Sequence, residues 1–445
     1  MKTRKDRVFA VAGVAVLLLC AAGGAWATDF ALSADHADCI YRLGEKATFT
    51  VKVSGKDKGK VRWELNNFGD RKFASGEAAL PLEDGAFTVT GEQTEPGFLR
   101  LDVWDADEKR PAKKMWGVVY DAERIVPGTP YPDDFMDFWR SAIAKYDREV
   151  PEPIAVKEVD RDKATTLYEL VIPSVGGRKV WGYCSVPNDG AKAPFPVQVN
   201  VPGAGPASWG CGRPADAISL KVNVHYYDPL PLRHEKHKSE KCQALQKAED
   251  EDWAKRYPVK TVRYTQVGIA VSREDYFYYG IILAANRAVD WVAARPDVDR
   301  TRIRYSGGSQ GGGFGLILTG LNKHITASAV MVPAITDLLS SKVSNRESGW
   351  PRLVEAQLDE NKAAAERNAP YFCGVNFARQ ITVPIRFEVG FIDTVCPPHA
   401  GQAAFNVCPS KDKAIYYGLG QGHPVDPKWR KVMGDWLSQT KGVLQ

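Results

Sequence analysis

The residues of this 445-residue chain with the clearest chemical potential are Gly307-Gly308-Ser309-Gln310-Gly311, a G-x-S-x-G string. A serine hydroxyl becomes a nucleophile when a sharp strand-to-helix turn exposes it and a base takes its proton. The flanking sequence meets the first condition. Arg302-Ile-Arg-Tyr305 reads as a strand, and Phe314, Leu316, Ile317, Leu318 and Leu321 mark an apolar helix beyond it. Glycines beside the serine let such a turn close against neighbouring strands. The backbone N–H of Gln310, at the helix start, is then placed to stabilise an oxyanion. The predicted chemistry is acyl transfer through Ser309.

A serine nucleophile needs a base, and the base needs an orienting acid. On strand–turn–helix scaffolds the chain order is Ser, then Asp or Glu, then His, each following a sheet strand. Asp393 follows the strand Pro384–Val389 through Gly390-Phe-Ile, and His423 follows Lys413–Tyr417 through Gly418-Leu-Gly-Gln-Gly422. His423 is the last of seven histidines; His399 stands close behind Asp393, and His324 precedes either acid. Asp337, after a strand ending at Val332, is the rival acid, and chain order favours Asp393. A second oxyanion donor belongs in a loop after an early strand. Val201-Pro202-Gly203-Ala204-Gly205-Pro206 fits, with the Ala204 N–H as donor; a plain turn is the alternative reading. Arg233-His-Glu-Lys-His237 with Cys242 has i,i+3 histidines, but its lysines oppose a cation. No metal or cofactor is expected.

These side chains require a sheet to present them. Strands at Val197–Val201, Lys221–His225, Arg302–Tyr305, Ala327–Val332, Pro384–Val389 and Lys413–Tyr417 alternate with helical stretches. One helix covers about Gly280 to Ala294, with Ile281, Ala284, Ala285, Ala288, Val289 and Val292 on one face. This alternation predicts a doubly wound, mostly parallel sheet in an α/β domain over residues 125–445. Residues 28–124 instead show short period-2 strands separated by turn clusters, which predicts a small all-β immunoglobulin-like sandwich. Such a module either braces the catalytic domain or binds carbohydrate, and nothing in it suggests site chemistry. Val126-Pro-Gly-Thr-Pro-Tyr-Pro132 reads as the joint. Two charged insertions, 233–260 and 340–368, read either as walls of a cleft or as solvated faces.

Composition bounds the function. Hydrophobic residues make up 44%, enough for a large core, and 59 basic against 54 acidic residues leave a balance of +5. So slight an excess, without a dense Lys/Arg block, argues against a nucleic-acid partner. Basic residues 1–7, apolar Val8–Leu19 and Ala25-Trp26-Ala27 form the pattern of a secretory signal cleaved after Ala27. Cleavage there removes four basic residues and one acidic, lowering the balance to +2. No other long apolar run exists, so no membrane span is expected, and the product is secreted or periplasmic. Seven cysteines would remain, too few and too scattered to frame the fold.

Beyond these readings, roughly residues 128–440 resemble the acetyl xylan esterase/cephalosporin-C deacetylase family of α/β-hydrolases. Pro130-Tyr-Pro-Asp-Asp-Phe135 with Phe138-Trp139, Arg295-Pro-Asp-Val-Asp299 and Gly308-Ser-Gln-Gly-Gly312 carry the resemblance. So do Tyr371-Phe372, Val375-Asn-Phe-Ala378 and Gly390-Phe-Ile-Asp-Thr-Val-Cys-Pro-Pro398. The resemblance implies a triad of Ser309, Asp393 and His423, with Ala204 matching the second oxyanion donor by position. It further implies removal of acetyl groups from xylan or xylo-oligosaccharides, and leaves a homo-oligomer possible. The family's Arg-Gly-Gln motif is absent, and Asn223-Val-His-Tyr-Tyr227 stands near its place. Competing readings are a glucuronoyl esterase, an oligopeptidase-like peptidase and a non-catalytic polysaccharide-binding protein.

Overall fold

The computed structural model describes residues 7–9 and 28–441, except 70, 207–209, 233, 234, 237, 258–262, 344 and 345. The expected export signal, 1–27, lies outside the described residues apart from Arg7–Phe9, the backbone of which forms β1.

Period-2 alternation builds the next eight strands into two facing sheets. β2 (Asp29–Ala34), β4 (Ala47–Ser54) and β7 (Ala86–Gly91) form one antiparallel sheet. The other holds β3 (Ile40–Tyr41), β9 (Lys114–Tyr120), β8 (Gly97–Asp105), β5 (Gly59–Asn66) and β6 (Lys72–Leu80), in that order. The arrangement is an immunoglobulin-like sandwich, with Phe30, Leu32, Phe49, Val51, Leu65, Leu99 and Leu101 buried between the sheets. In β4 the alternation is clean: Ala47, Phe49 and Val51 are buried and their neighbours are less so. β8 departs from it. Phe98 and Asp102 are buried as well as Leu99, Leu101 and Val103, because Phe98 meets Phe391 of the second domain and Asp102 is paired with Arg100 and Lys113.

That domain contains α1 (Phe135–Glu149), β10 (Ala155–Arg161), β11 (Thr165–Pro173), β12 (Lys179–Pro187), β13 (Phe195–Asn200) and β14 (Ile218–Val222). Then come α2 (Glu240–Arg256), α3 (Phe277–Ala293), β15 (Val298–Gly308), α4 (Gln310–Leu321) and β16 (Ala327–Met331). The chain ends with α5 (Lys362–Asn368), α6 (Gly374–Ala378), β17 (Ile385–Gly390), α7 (Pro398–Val407), β18 (Lys413–Gly418) and α8 (Pro427–Gln439). The sheet order is β1-β18-β17-β16-β15-β13-β14-β12-β11-β10. Strands β13 to β18 pair in parallel, and β10 to β12 add an antiparallel edge. The chain passes from β13 outward to β14, then returns to the other side of β13 as β15. That reversal opens a crevice at the carboxyl ends of β13 and β15, where open α/β sheets bind ligands.

Both faces of the sheet are covered. On one, α3 is buried nearly all round, the mark of a helix enclosed within a core. On the other, Trp429, Met433 and Leu437 of α8 pack against Ala327, Ala329, Met331 and Tyr416. Two expectations shift. β14 stops at Val222 rather than His225, so residues 223–227 leave the sheet. The stretch 340–368 has only α5 as an α-helix among its described residues, with two short 3-10 turns, and is tied to the sandwich by Glu347 N–H donating to Phe68 O. No helix among the described residues is long and apolar enough to cross a membrane. The seven described cysteines carry free thiols, all buried except the half-buried Cys211.

Candidate active site

Ser309 sits between β15 and α4 with φ 57° and ψ −126°, a left-handed conformation that an L-residue holds only when its surroundings impose it. Here its N–H donates to Met331 O, and its carbonyl accepts from Gly313 N–H and Ala334 N–H, each at 3.0 Å. Close approach also demands glycine at position 311, where a Cβ would lie 2.1 Å from the Val201 carbonyl oxygen. The start of α4 is therefore pressed against the end of β13. This is the strand–turn–helix geometry that the G-x-S-x-G spacing predicts.

His423 reaches this serine from the loop after β18. Its Nε2 is 2.9 Å from Ser309 Oγ, and its Nδ1 is 3.0 Å from Asp393 Oδ2. Asp393 is fully buried. Its Oδ1 accepts the N–H groups of Val395 (2.8 Å) and Cys396 (2.9 Å), which fix the carboxylate plane. The rival, Asp337, is committed elsewhere: its Oδ1 accepts from Gly128 N–H, Thr129 N–H and the Thr129 hydroxyl, pinning the inter-domain joint. His399 is buried with Nε2 donating to Glu347 O, and burial lowers it to about 3. His324 faces Asp290. Of the candidates, only Asp393 and His423 are brought to Ser309.

The loop predicted to hold the second oxyanion donor is anchored to the elbow by the side chain of Gln310. Its Nε2 donates to Pro202 O (3.3 Å) and Gly203 O (3.2 Å), and its Oε1 accepts from the Tyr264 (3.1 Å) and Tyr278 hydroxyls. Ala204 follows directly in this loop. The next residue is held from both sides: Gly205 N–H donates to the Tyr264 hydroxyl, and Gly205 O accepts from His225 Nε2 at 3.0 Å. His225 Nδ1 is 2.6 Å from Glu249 Oε2 on α2, while Glu249 Oε1 accepts from Tyr226 N–H. Sequence reasoning assigned no role to Tyr264, Tyr278, His225 or Glu249. Tyr278 stands just before the helix expected at Gly280–Ala294 with no local signal of its own, and His225 lies in the Asn223–Tyr227 stretch noted for its departure from the Arg-Gly-Gln motif. The charged insertion 233–260 thus does more than meet solvent, since α2 delivers Glu249 to a buried imidazole.

Residues 123–439 match the acetyl xylan esterase (AXE1) family. The chain belongs to that family. It is accordingly a carboxylic ester hydrolase. Acetyl esterase Axe7A of Xylanibacter ruminicola is 27% identical over 397 residues, which span 86% of this chain and 84% of that protein. The solved acetyl xylan esterase from Paenibacillus sp. R4 superposes with a TM-score of 0.57 at 22% identity, over 71% of this chain and 98% of its own. Acetyl xylan esterase 1 from Thermoanaerobacterium sp. JW/SL YS485 gives 0.55 at 19% identity, over 71% and 96%. These likenesses establish the α/β-hydrolase fold. The family match begins just past the last sandwich strand, β9, so the sandwich is an addition to the matched region.

The donor set at this site does not suit a metal ion. Asp393, Cys396 and His423 place ligand atoms within 4.8 Å of one another. Both carboxylate oxygens of Asp393 already accept from His423 or backbone N–H groups. The Cys396 thiol, pushed well above its ordinary range by burial and by the nearby Asp393 charge, stays protonated. His234 and His237 of the Arg233–His237 cluster lie outside the described residues.

Proposed function

We propose that this esterase removes acetyl groups from xylan or xylo-oligosaccharides by a Ser-His-Asp acyl-enzyme mechanism. The observation that carries the reading is the alignment of Ser309 Oγ, the His423 imidazole and the Asp393 carboxylate, at 2.9 and 3.0 Å. His423 Nε2 takes the proton of Ser309 as Oγ attacks the acetyl carbonyl. Asp393 holds the imidazole with Nδ1–H directed at itself and stabilises the imidazolium that forms. The oxyanion lies against the N–H groups of Gln310 and Ala204. Collapse expels the sugar hydroxyl, which receives its proton from His423, and leaves acetyl on Ser309. Water activated by His423 then releases acetate and restores the serine.

The substrate class follows from the family description and from the names of the relatives, which are acetyl or acetyl xylan esterases. The near-neutral balance suits an uncharged acetylated sugar. We assign residues 1–27 as a cleaved export signal, 28–124 as the sandwich and 125–445 as the catalytic domain, with a secreted or periplasmic product. The decisive experiment measures acetate release from acetylated xylo-oligosaccharides by wild type and by Ser309→Ala. Wild type should release acetate, and the variant should lose at least about 10³-fold in kcat. An active Ser309→Ala enzyme refutes the mechanism. Hydrolysis of a small aryl acetate without acetate release from the oligosaccharides refutes the substrate.

A further inference from the structure

We infer that the amino-terminal sandwich is a positioning element of the active site: β8 and β9 form the floor on which the loops carrying Asp393 and His423 rest. The inference depends on the reading of those residues as acid and base. Its support is geometric and runs through three separate contacts.

The first contact lies under the acid loop. The Phe98 ring of β8 meets Phe391 edge-on, with centroids 5.1 Å apart, and Phe391 stands two residues before Asp393. Gly117 of β9 lies directly against the Phe391 carbonyl, so closely that a Cβ there would sit 2.3 Å from its oxygen. The second contact lies under the base loop. The Trp116 ring covers Gly420, three residues before His423, and a Cβ on Gly420 would come within 2.7 Å of that ring. The third is a polar chain. Phe68 O of the sandwich accepts from Glu347 N–H, Glu347 Oε1 accepts from Arg352 Nε at 2.9 Å, and Arg352 donates to Thr394 O at 2.9 Å. Thr394 is the neighbour of Asp393.

The two loops are also fastened to each other above this floor. Phe391 N–H donates to Gly418 O and Ile392 N–H to Gln421 O, both at 3.0 Å. A shift of either loop on the sandwich is therefore passed to the other, and the 3.0 Å contact between Asp393 and His423 lies at its end. Burial of Phe98 on the outer face of β8 has the same origin: the strand serves as core for the sandwich and as support for the hydrolase. The matched family region starts at residue 123 and contains none of this floor. In this chain the acid and base loops lean on a domain outside the matched region.

Phe98 and Trp116 are thus positioning residues, and the effect of removing them is separable from general destabilisation. The test compares Phe98→Ala, Trp116→Ala and Gly117→Ala with Phe49→Ala, which opens the sandwich core on the opposite sheet. Kinetics on an aryl acetate are measured well below each variant's unfolding temperature, together with the rate of fluorophosphonate labelling of Ser309. The floor variants should lose on the order of 10- to 100-fold in kcat, with KM within about twofold. Labelling should slow in parallel, and Trp116→Phe should recover much of the rate. Phe49→Ala should lower the unfolding temperature and leave kcat unchanged. Where Phe98→Ala fails to fold, Gly117→Ala and Trp116→Phe against Trp116→Ala still decide the matter. Floor variants with wild-type kcat, or an equal kcat loss in Phe49→Ala, overturn the inference. An active Ser309→Ala enzyme would instead remove the catalytic reading beneath it.

Discussion

Replacing Gly311 by alanine probes the point where the elbow and the oxyanion loop touch. The added Cβ would lie 2.1 Å from the Val201 carbonyl oxygen and 3.2 Å from its carbon. A relaxed carbon–oxygen contact needs about 3.3 Å, so the start of α4 and the end of β13 must part by roughly 1.2 Å. The obstacle is backbone, and no side chain can swing aside to absorb the strain. Gln310 stands on one side of this gap and Ala204 on the other, so the movement widens the space between the two proposed oxyanion donors. Misplacement of reacting groups by about 1 Å lowers rates about 10²-fold. Loss of one donor costs about 10²–10³-fold, or about 2.7–4 kcal/mol of transition-state stabilisation. Overpacking also destabilises the fold by about 1–3 kcal/mol, so thermal unfolding must be followed alongside activity. The expected result on p-nitrophenyl acetate is a kcat lowered about 10²-fold with KM nearly unchanged. A folded Gly311→Ala enzyme with kcat within about threefold of wild type would refute the proposed placement of the oxyanion donors.

Other perturbations address the remaining parts. Asp393→Asn keeps the shape of the buried acid but presents the wrong partner to His423 Nδ1, and kcat at neutral pH should fall about 10⁴-fold; steady-state kinetics showing a loss under about tenfold would remove Asp393 from its role. His225→Phe leaves the Glu249 carboxylate buried without its imidazole, and should destabilise the fold by about 3–5 kcal/mol in thermal or denaturant unfolding. An unchanged unfolding midpoint would show that the pair does not brace the oxyanion loop. Burial, with Asp426 and Asp393 nearby, raises Glu388 to about 7. A carboxyl raised on folding takes up a proton, so its stabilisation is complete below about pH 4.5 and is lost as pH rises through about 7. Wild type should therefore lose up to about 3 kcal/mol relative to Glu388→Gln between about pH 5 and 7.5. Parallel stability curves for the two proteins would contradict this.

Much of the catalytic half was legible because its signals are local. The glycines around Ser309 mark a turn that only one backbone conformation can close, and the apolar run after it marks the helix. Strand β15 is longer than its apolar pattern suggested, running from Val298 to Gly308. Asp299–Thr301 and Ser306–Gly308 carry no apolar side chains, while backbone pairing of Val298 with β13 and of Ser306–Gly308 with β16 extends the strand at both ends. The antiparallel strands β10 to β12 escaped notice, since their sequences lie within the stretch where alternation with helices set the expectation. Nothing in the local pattern marks Tyr278, whose ring is buried; what distinguishes it is a hydroxyl bonded to Gln310, 32 residues away.

The sequence by itself determined the order of elements, the elbow, the family and two acids with one histidine to choose among, all properties of periodicity, turn chemistry and chain order. Only the tertiary structure decided which acid meets the imidazole. Asp393 and His423 are 30 residues apart, and His423 and Ser309 are 114 apart. Adjacent parallel strands bring their loops to one end of the sheet, whereas Asp337 is drawn to the joint by Gly128 and Thr129. Only the tertiary structure, likewise, showed what the second face of β8 is for. An alternating pattern declares which residues face a core, and Phe98 became a support for Phe391 only when a second domain packed against the face that the pattern had left over.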